Sequence, residues 1–177
     1  MDTGSANHMS LGYQLQPRGV QMKTMAKDVM TTNFHTLSPH TTIAEAVMLF
    51  RKASEEESQK VFGMMVTDEK GQLIGMISMY DILLFIRPKH IHIWGMMDDL
   101  DITGLIDKAC ERARSILVDD IMTPDVVTVS PDTHLMVILD IMIKKHIRRI
   151  PVLEGEKIIG IIYISNLFYH LLEKFIA

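Results

Sequence analysis

The chain has 177 residues, a formal net charge of −4 and a pI near 6.0, and 47% of its residues are hydrophobic. These values fit one substantial folded domain or two small ones, and they argue against a protein whose main role is to neutralise nucleic-acid phosphates. No apolar run reaches the ~18 residues that a membrane helix needs, so no membrane span is expected. Cys110 is the single cysteine, which excludes an intrachain disulfide and favours a reducing cytoplasm.

Residues 1–22 precede the first patterned segment. The polar stretch MDTGSANHM has the character of a cloning remnant and carries no signal-peptide pattern, so residues 1–8 are set aside. We expect residues 9–22 to form a flexible N-terminal arm.

An internal repeat organises the rest of the chain. The segments DVMTT (28–32) and DIMTP (120–124) match at a spacing of 92 residues, and LIGMIS (73–78) matches IIGIIY (158–163) at a spacing of 85. The first repeat is therefore longer by about seven residues, most of which fall in the charged run ASEEESQK (53–60). Such a run predicts a solvated loop or helix extension.

Each repeat predicts the element order β-α-β-β-α. A short strand precedes a Ser-Pro turn signal, an amphipathic helix follows, and two strands joined by a turn lead into a last helix. Thr42 and Glu45 form a possible capping box for the first of these helices. The apolar residues of the two amphipathic helices recur at i, i+3, i+4 and i+7, in the sets Ile43, Ala46, Val47, Phe50 and Leu135, Ile138, Leu139, Met142. The strands are predicted around Thr36 and 127–129, at 61–67 and 148–153, and at 73–78 and 157–164, and the last helices at 81–86 and 166–175.

We predict a mixed α/β fold in which two such units, at 23–86 and 118–177, pack as a pseudo-two-fold pair with their sheets facing each other. One unit of ~60 residues has a marginal core, and packing two together buries more apolar surface. Clefts should form between the halves, where strand ends meet helix starts.

The repeats are separated by an insert at 87–117. A helix is predicted from about 101 to 116, and we expect the insert to pack on the pair or on a partner chain. Its apolar stripe and its single tryptophan are Leu105, Ile106, Ala109, Ala113 and Trp94.

The repeated segments resemble the cystathionine-β-synthase (CBS) domain, which occurs in tandem pairs called Bateman modules. The segments that carry the resemblance are DVMT (28–31), TLSP (36–39), IGMISMYD (74–81) and RIPV (149–152). Several elements recur in the same order in both halves, which makes the match specific.

The resemblance covers about 24–86 and 118–175 and implies a stand-alone CBS pair that regulates rather than catalyses. It implies an adenosine-containing ligand, AMP, ADP or ATP and less often S-adenosylmethionine, with no obligatory cofactor. It also implies a homodimer of pairs packed as a disc, and a protein partner of unknown identity that reads the ligand-dependent change in conformation.

Ser78 and Asp81 lie at the predicted strand-to-helix corner of the first repeat. A carboxylate accepts hydrogen bonds from both hydroxyls of a ribose, and the family resemblance assigns this role to the matching Ser and Asp. The same Ser-x-x-Asp spacing is also a capping-box pattern that needs no ligand. The two roles are compatible with each other.

The resemblance assigns the other ligand-binding residues to two groups. Met30, Thr36 and Met65 match positions that line the base pocket. Arg149 matches a position that contacts phosphate. Arg148 is a further ligand-binding candidate, but strand alternation places it on the opposite face from Arg149, so only one of the two arginines is expected to face the cleft.

The second repeat departs from the pattern. Tyr163 and Asn166 stand where the first repeat has Ser78 and Asp81, and Ser165 is a candidate cap for the helix. We therefore expect the second cleft to bind nucleotide weakly, to bind none, or to take another ligand.

Other constellations carry less chemistry. His90 and His92 share a face if they lie on a strand, so a metal is conceivable, but no carboxylate or cysteine at ligand spacing follows closely. His134 and His146 are expected at helix ends. No P-loop, dinucleotide fingerprint or nucleophile–base pattern supports an enzyme. The alternatives are a structural dimerisation module with degenerate pockets and a regulator that responds to metal or S-adenosylmethionine.

Overall fold

The structure, a computed structural model, describes residues 24–56, 60–87 and 102–176. Some predicted features lie outside these residues, namely the N-terminal arm at 1–22, the possible metal ligands His90 and His92, and Trp94.

The predicted order β-α-β-β-α is confirmed in the first repeat and, without the first strand, in the second; each repeat also begins with a short helix that was not predicted. The first repeat contains α1 (Ala26–Val29), β1 (Thr36–Leu37), α2 (Ile43–Glu56), β2 (Gly63–Thr67), β3 (Leu73–Ser78) and α3 (Met79–Ile86). The insert contributes α4 (Ile102–Ala113). The second repeat contains α5 (Val118–Ile121), α6 (Leu135–Lys145), β4 (Arg149–Glu154), β5 (Lys157–Tyr163) and α7 (Ile164–Ile176).

Each repeat has its own small sheet. In the first repeat β1 runs parallel to β2, and β2 pairs antiparallel with β3. In the second repeat β4 and β5 form an antiparallel pair. The strand predicted at 127–129 is reduced there to one parallel bridge between Val129 and Val152.

Local hydrogen bonds fix the helix ends that the sequence predicted. The Thr42 amide donates to Glu45 Oε2 at 2.9 Å and the Glu45 amide donates to Thr42 Oγ1 at 3.3 Å, which confirms the capping box. The hydrogen bond from the Thr42 amide to the Glu45 carboxylate, and after it the one from the Thr42 hydroxyl, lower the pKa of Glu45. His134 is the N-cap of α6 and His146 is its C-cap, in the left-handed region at φ 53°, so both histidines lie at helix ends.

The buried stripes of the helices are narrower than predicted. In α2 the stripe consists of Ile43, Ala46, Phe50 and Ala53, and Val47 is 51% exposed because it lies on the solvent side of this row. In α4, Ala109 and Ala113 are buried but Ile106 is 50% exposed.

Three apolar cores hold the pair together. One lies within the first repeat around Phe50 and Ile77, and a second lies within the second repeat around Ile138 and Ile162. The third joins the two sheets, because Met65 of β2 clusters with residues of β5. The sheets therefore face each other, as the repeat predicted.

The short helices are exchanged between the repeats. Val118 of α5 is fully buried in the core of the first repeat, and Ala26 of α1 is fully buried in the core of the second. The Val118 amide donates to the Thr41 carbonyl at 2.8 Å, and the Ala26 amide donates to the Thr133 carbonyl at 2.8 Å. The two donors are 92 residues apart in the chain, and so are the two acceptors, which is the spacing of the repeat. The exchange therefore follows the pseudo-two-fold symmetry.

Truncation of Val118 tests this exchanged packing. Val118→Ala removes two methyl groups from a fully buried position in the other repeat's core, and we expect it to lower the free energy of unfolding by roughly 2 kcal/mol. Chemical denaturation monitored by circular dichroism measures the change.

Val137→Ala is the matched control, since Val137 lies 51% exposed on α6. We expect a change within about 0.5 kcal/mol. Both variants should be measured at two protein concentrations, because association that covers Val137 would make its effect concentration-dependent. Equal losses in the two variants at both concentrations would show that Val118 is not a core residue.

Candidate functional site

A cavity of about 470 Å³ opens between the repeats, beside the corner where β3 ends and α3 begins. Its volume lies within the range of pockets that hold small-molecule ligands. The first repeat contributes the corner itself, and the second contributes the segments that follow α5 and precede β4. The lining residues are Met76, Ile77, Ser78, Tyr80, Asp81, Thr123, Asp125, Val126, Val127, His146, Ile147, Arg148 and Arg149.

Ser78 and Asp81 form a capping box at the start of α3. The extended Ser78 residue is the N-cap, and its amide and its hydroxyl donate to Asp81 Oδ2 at 2.8 Å and 2.6 Å. The Asp81 amide donates to Ser78 Oγ at 3.3 Å. The carboxylate oxygen Oδ2 takes part in this box and Oδ1 does not, so capping uses only one side of a carboxylate that also lines the cavity.

Both arginines line the cavity, whereas strand alternation predicted that only one would face it. Alternation does not apply because β4 begins at Arg149, which leaves Arg148 just before the strand. The Arg148 side chain is exposed, and Arg149 is partly buried. Within the described residues, the buried Nη1 of Arg149 has no hydrogen-bond partner.

The charge of Arg149 is held partly out of water. Burial lowers the pKa of its guanidinium, while the nearby Tyr163 and Asp81 raise it and Arg148 lowers it further. Arginine stays protonated in proteins despite such shifts. A buried cation without a bonded anion is unfavourable, so this site favours the entry of an anionic group.

The structure does not bring Met30, Thr36 and Met65 to this cavity. The thioether of Met30 packs on β5, with Sδ 2.7 Å from the position of a Cβ built on Gly160. Met65 is fully buried in the core between the sheets. Thr36 pairs with Met65 across β1 and β2, and its side chain is exposed.

The exchange of the short helices explains this difference. Met30 follows α1, which packs on the second repeat, whereas the equivalent segment after α5 packs on the first. Thr123 and Met76 exchange backbone hydrogen bonds of 2.8 and 2.9 Å, which place this segment beside the β3–α3 corner. Several lining residues were not predicted from the sequence, both those that this exchange brings in and others of the cavity wall: Thr123, Asp125, Val126, Val127, Tyr80 and His146. The repeat spacing identifies Met122 as the equivalent of Met30. The sequence pattern does not show whether each methionine packs against its own repeat or against the other one.

The equivalent corner of the second repeat is built differently. Because α7 begins at Ile164, Ser165 lies inside the helix and is not its N-cap, contrary to expectation. The Asn166 amide donates to Thr31 Oγ1 at 2.9 Å, and Tyr163 packs with Phe34 against the core between the sheets. An engaged amide and a packed aromatic ring thus replace the carboxylate and the hydroxyl of the first corner.

Among residues 24–56, 60–87 and 102–176, no three side chains of His, Cys, Asp or Glu are grouped so as to hold a metal ion. None of the helices in this part of the chain combines the length and the apolar character needed to cross a bilayer.

Curated relatives share the sequence at moderate identity. The chain is 28% identical over 148 residues to the chloroplastic CBS domain-containing protein CBSX2 of Arabidopsis thaliana, covering 78% of this chain and 60% of the relative. It is 29% identical over 141 residues to chloroplastic CBSX1 of the same plant, covering 76% and 57%. The chain therefore spans about three-fifths of the length of these relatives.

Comparisons with solved structures and with family models indicate the same family as these relatives. The crystal structure of CBSX2 from Arabidopsis thaliana matches with a TM-score of 0.66 and 26% identity over 86% of this chain and 97% of that one. A structure of CBSX2 in complex with AMP matches with a TM-score of 0.60 and 25% identity, covering 84% and 96%. The family model of the CBS domain matches residues 26–88 and 118–173. This chain belongs to the CBS domain family and contains two copies of the domain.

Proposed function

We propose that this CBS pair is a regulatory module whose first cleft binds an adenine nucleotide, AMP, ADP or ATP, and whose repeats report the binding to a protein partner. The observation that carries the proposal is the meeting of the Ser78–Asp81 corner and the Arg149 guanidinium in one cavity. A nucleotide has the matching groups, a ribose diol and a phosphate, within one small molecule. The proposed role is that of a sensor and not of an enzyme.

The ribose is assigned to the Ser78–Asp81 corner. The capping box holds the carboxylate in place through Oδ2, and Oδ1 is then the atom that accepts from a ribose hydroxyl. A carboxylate fixed in this way loses little side-chain entropy when the ligand binds, which favours affinity. The capping box and the ribose-binding role of Asp81 are therefore compatible, and the capping box favours binding because it fixes the carboxylate.

The phosphate is assigned to the cationic side of the cavity. Arg149 has a buried Nη1 to donate, and Arg148 and His146 line the same side from the residues before β4. An arginine recognises phosphate oxygens through paired N–H donors. The base then lies among apolar lining residues of both repeats, of which Val126, Val127 and Ile147 are examples.

The AMP complex of CBSX2 supports this class of ligand, since the two chains share the CBS-pair fold over most of their length. The differences between the two corners support one nucleotide per chain. Tyr163 and Asn166 leave the second corner without the carboxylate that the ribose assignment requires.

Coupling between ligand and partner follows from the shared walls of the cavity. A ligand that touches Asp81 and Arg149 contacts both repeats at once, so its affinity depends on their relative position. A ligand shifts a conformational equilibrium when it binds one arrangement better than the other. We propose that this dependence is the signal.

We further propose that the chain forms a homodimer through its last helices. Equivalent positions of α3 and α7 carry exposed apolar side chains, of which Leu83 is 64% and Phe168 is 54% exposed. Apolar patches of this kind mark interfaces in soluble proteins. The same observation favours the second candidate function, an interaction module with degenerate pockets, and nucleotide titration separates the two.

Asp81→Asn tests the ribose assignment. We expect calorimetric titration to show AMP binding weakened on the order of 10- to 100-fold, because a hydrogen bond to a charged group is lost. Wild-type protein should prefer AMP over 2′,3′-dideoxy-AMP by a similar factor, and the variant should lose this preference. The stoichiometry should be one AMP per chain, and two equal sites that are both unaffected by the substitution would contradict the assignment.

Glu45→Gln is the matched control for Asp81→Asn, because Glu45 closes the corresponding capping box at α2, outside the cavity. Both substitutions should cost up to about 1 kcal/mol of stability. Only Asp81→Asn should change AMP affinity.

Arg149→Gln tests the phosphate assignment. We expect AMP affinity to fall on the order of 10- to 100-fold and adenosine affinity to change by less than about threefold, since adenosine has no phosphate. Lys144→Gln removes the same charge from an exposed position on α6, where Lys144 pairs with Asp140. It should leave both affinities unchanged. A similar loss for AMP and adenosine in the Arg149 variant would place the phosphate elsewhere.

A further inference from the structure

Gly63 and Arg149 are equivalent residues of the two repeats, and they lie against each other. Gly63 is the first residue of β2 and Arg149 is the first residue of β4. Their cross-strand partners, Ser78 and Tyr163, are the equivalent residues at the two corners. Residues that contact their own equivalents lie on the pseudo-two-fold axis, so this contact is on the axis that relates the two clefts.

Space around Gly63 is occupied by the arginine. A Cβ built on Gly63 would overlap Nη1 of Arg149 and would lie 2.9 Å from the Ile77 carbonyl oxygen. Gly63 does not have a positive φ, unlike Gly71 and Gly155. Its backbone conformation is therefore open to any residue, and two close approaches restrict the position to glycine: that of the Arg149 guanidinium and that of the Ile77 carbonyl oxygen.

The direction of Arg149 follows from this packing. Its guanidinium crosses from the second repeat over the backbone of Gly63, whose strand partner is Ser78, and it lines the cavity together with Asp81. On the other side of the axis, Tyr163 packs against the core between the sheets. Of the two equivalent residues at the axis, only Arg149 has a long side chain, and this side chain faces the first cleft.

We propose that Gly63 is a positioning residue for the first cleft, where the absence of a side chain allows the arginine of the second repeat to lie across the axis and present its guanidinium beside Asp81. Gly63 touches no ligand in this scheme and acts through Arg149. The identity of the anion that the guanidinium meets depends on the proposed function, whereas the contact itself does not. The two clefts then differ for two reasons: Gly63 directs Arg149 to the first cleft, and the corner residues of the two repeats are different.

The test is Gly63→Ala, alone and combined with Arg149→Gln, titrated with AMP and with adenosine. We expect Gly63→Ala to weaken AMP binding on the order of 10-fold or more and to change adenosine binding by less than about threefold. In the double variant the AMP affinity should equal that of Arg149→Gln alone, because the glycine has no effect once the guanidinium is gone. Wild-type AMP affinity in Gly63→Ala, with a clear loss in Arg149→Gln, would overturn the proposal and leave the proposed function intact.

Gly160→Ala is the matched control for crowding in a strand. A Cβ at Gly160 would press on Met30, at 2.7 Å from its Sδ, and Gly160 does not line the cavity. We expect this variant to have a lower Tm than the wild type and the same AMP affinity. A loss of AMP affinity equal to that of Gly63→Ala would show that general strand distortion, and not the position of Arg149, explains the effect.

A stability cycle tests the contact without any ligand. The Tm of Gly63→Ala should be lower than that of wild type by about 3 °C or more, because the new methyl group displaces the guanidinium. The Tm loss of the double variant Gly63→Ala/Arg149→Ala should be smaller than the sum of the two single losses, because the clash with the guanidinium is gone while the approach to the Ile77 carbonyl remains. Additive losses would overturn the proposal. If the wild-type protein binds no AMP, the proposed function fails, and this cycle still decides whether Gly63 positions Arg149.

Discussion

The exchange of the short helices α1 and α5 is the constraint on which the rest of the structure depends. Each repeat of about 60 residues lacks a complete core until the segment at the start of the other repeat fills it, as Val118 and Ala26 do. The backbone bonds from Val118 to Thr41 and from Ala26 to Thr133 fix these segments at equivalent places. The repeats thus stabilise each other, and a small unit that would be marginal alone becomes half of a larger core.

The same exchange makes each cleft a composite of both repeats. The segment after α5 pairs with β3 through Thr123 and Met76, so the Ser78–Asp81 corner faces residues of the other repeat. The scaffold is symmetric, but the chemistry placed on it is not. A carboxylate and a hydroxyl occupy one corner, an engaged amide and an aromatic ring occupy the other, and one guanidinium lies on the axis between them.

The sequence predicted features that depend on neighbours along the chain, and it failed where contacts cross between repeats. The Thr42–Glu45 box, the histidines at the ends of α6 and the Ser78–Asp81 corner rest on spacings of a few residues, which a pattern records directly. Met30 was assigned to the base pocket through the family resemblance, yet the exchange of the short helices places it against β5 of the second repeat. The expectation that only one of Arg148 and Arg149 faces the cleft was wrong because β4 begins one residue later than the alternation assumed. A local sequence pattern predicts neither the exchange of α1 and α5 between the repeats nor the residue at which a strand begins.

The energetic state of the first cleft gives a direction to the proposed regulation. Without a ligand, Arg149 holds a buried donor that no described group accepts, and Asp81 contributes only part of its carboxylate to capping. A desolvated cation without a bonded anion is unfavourable, so burial of Arg149 carries a free-energy cost. A ligand with an anionic group removes this cost only where Arg149 lies across Gly63 and near Asp81. In the proposed function, binding therefore favours the observed arrangement and stabilises it by a free energy that grows with the logarithm of the ligand concentration relative to the dissociation constant. Arg149 and Asp81 belong to different repeats. In the proposed function, a ligand that contacts both residues therefore also constrains the relative position of the two repeats.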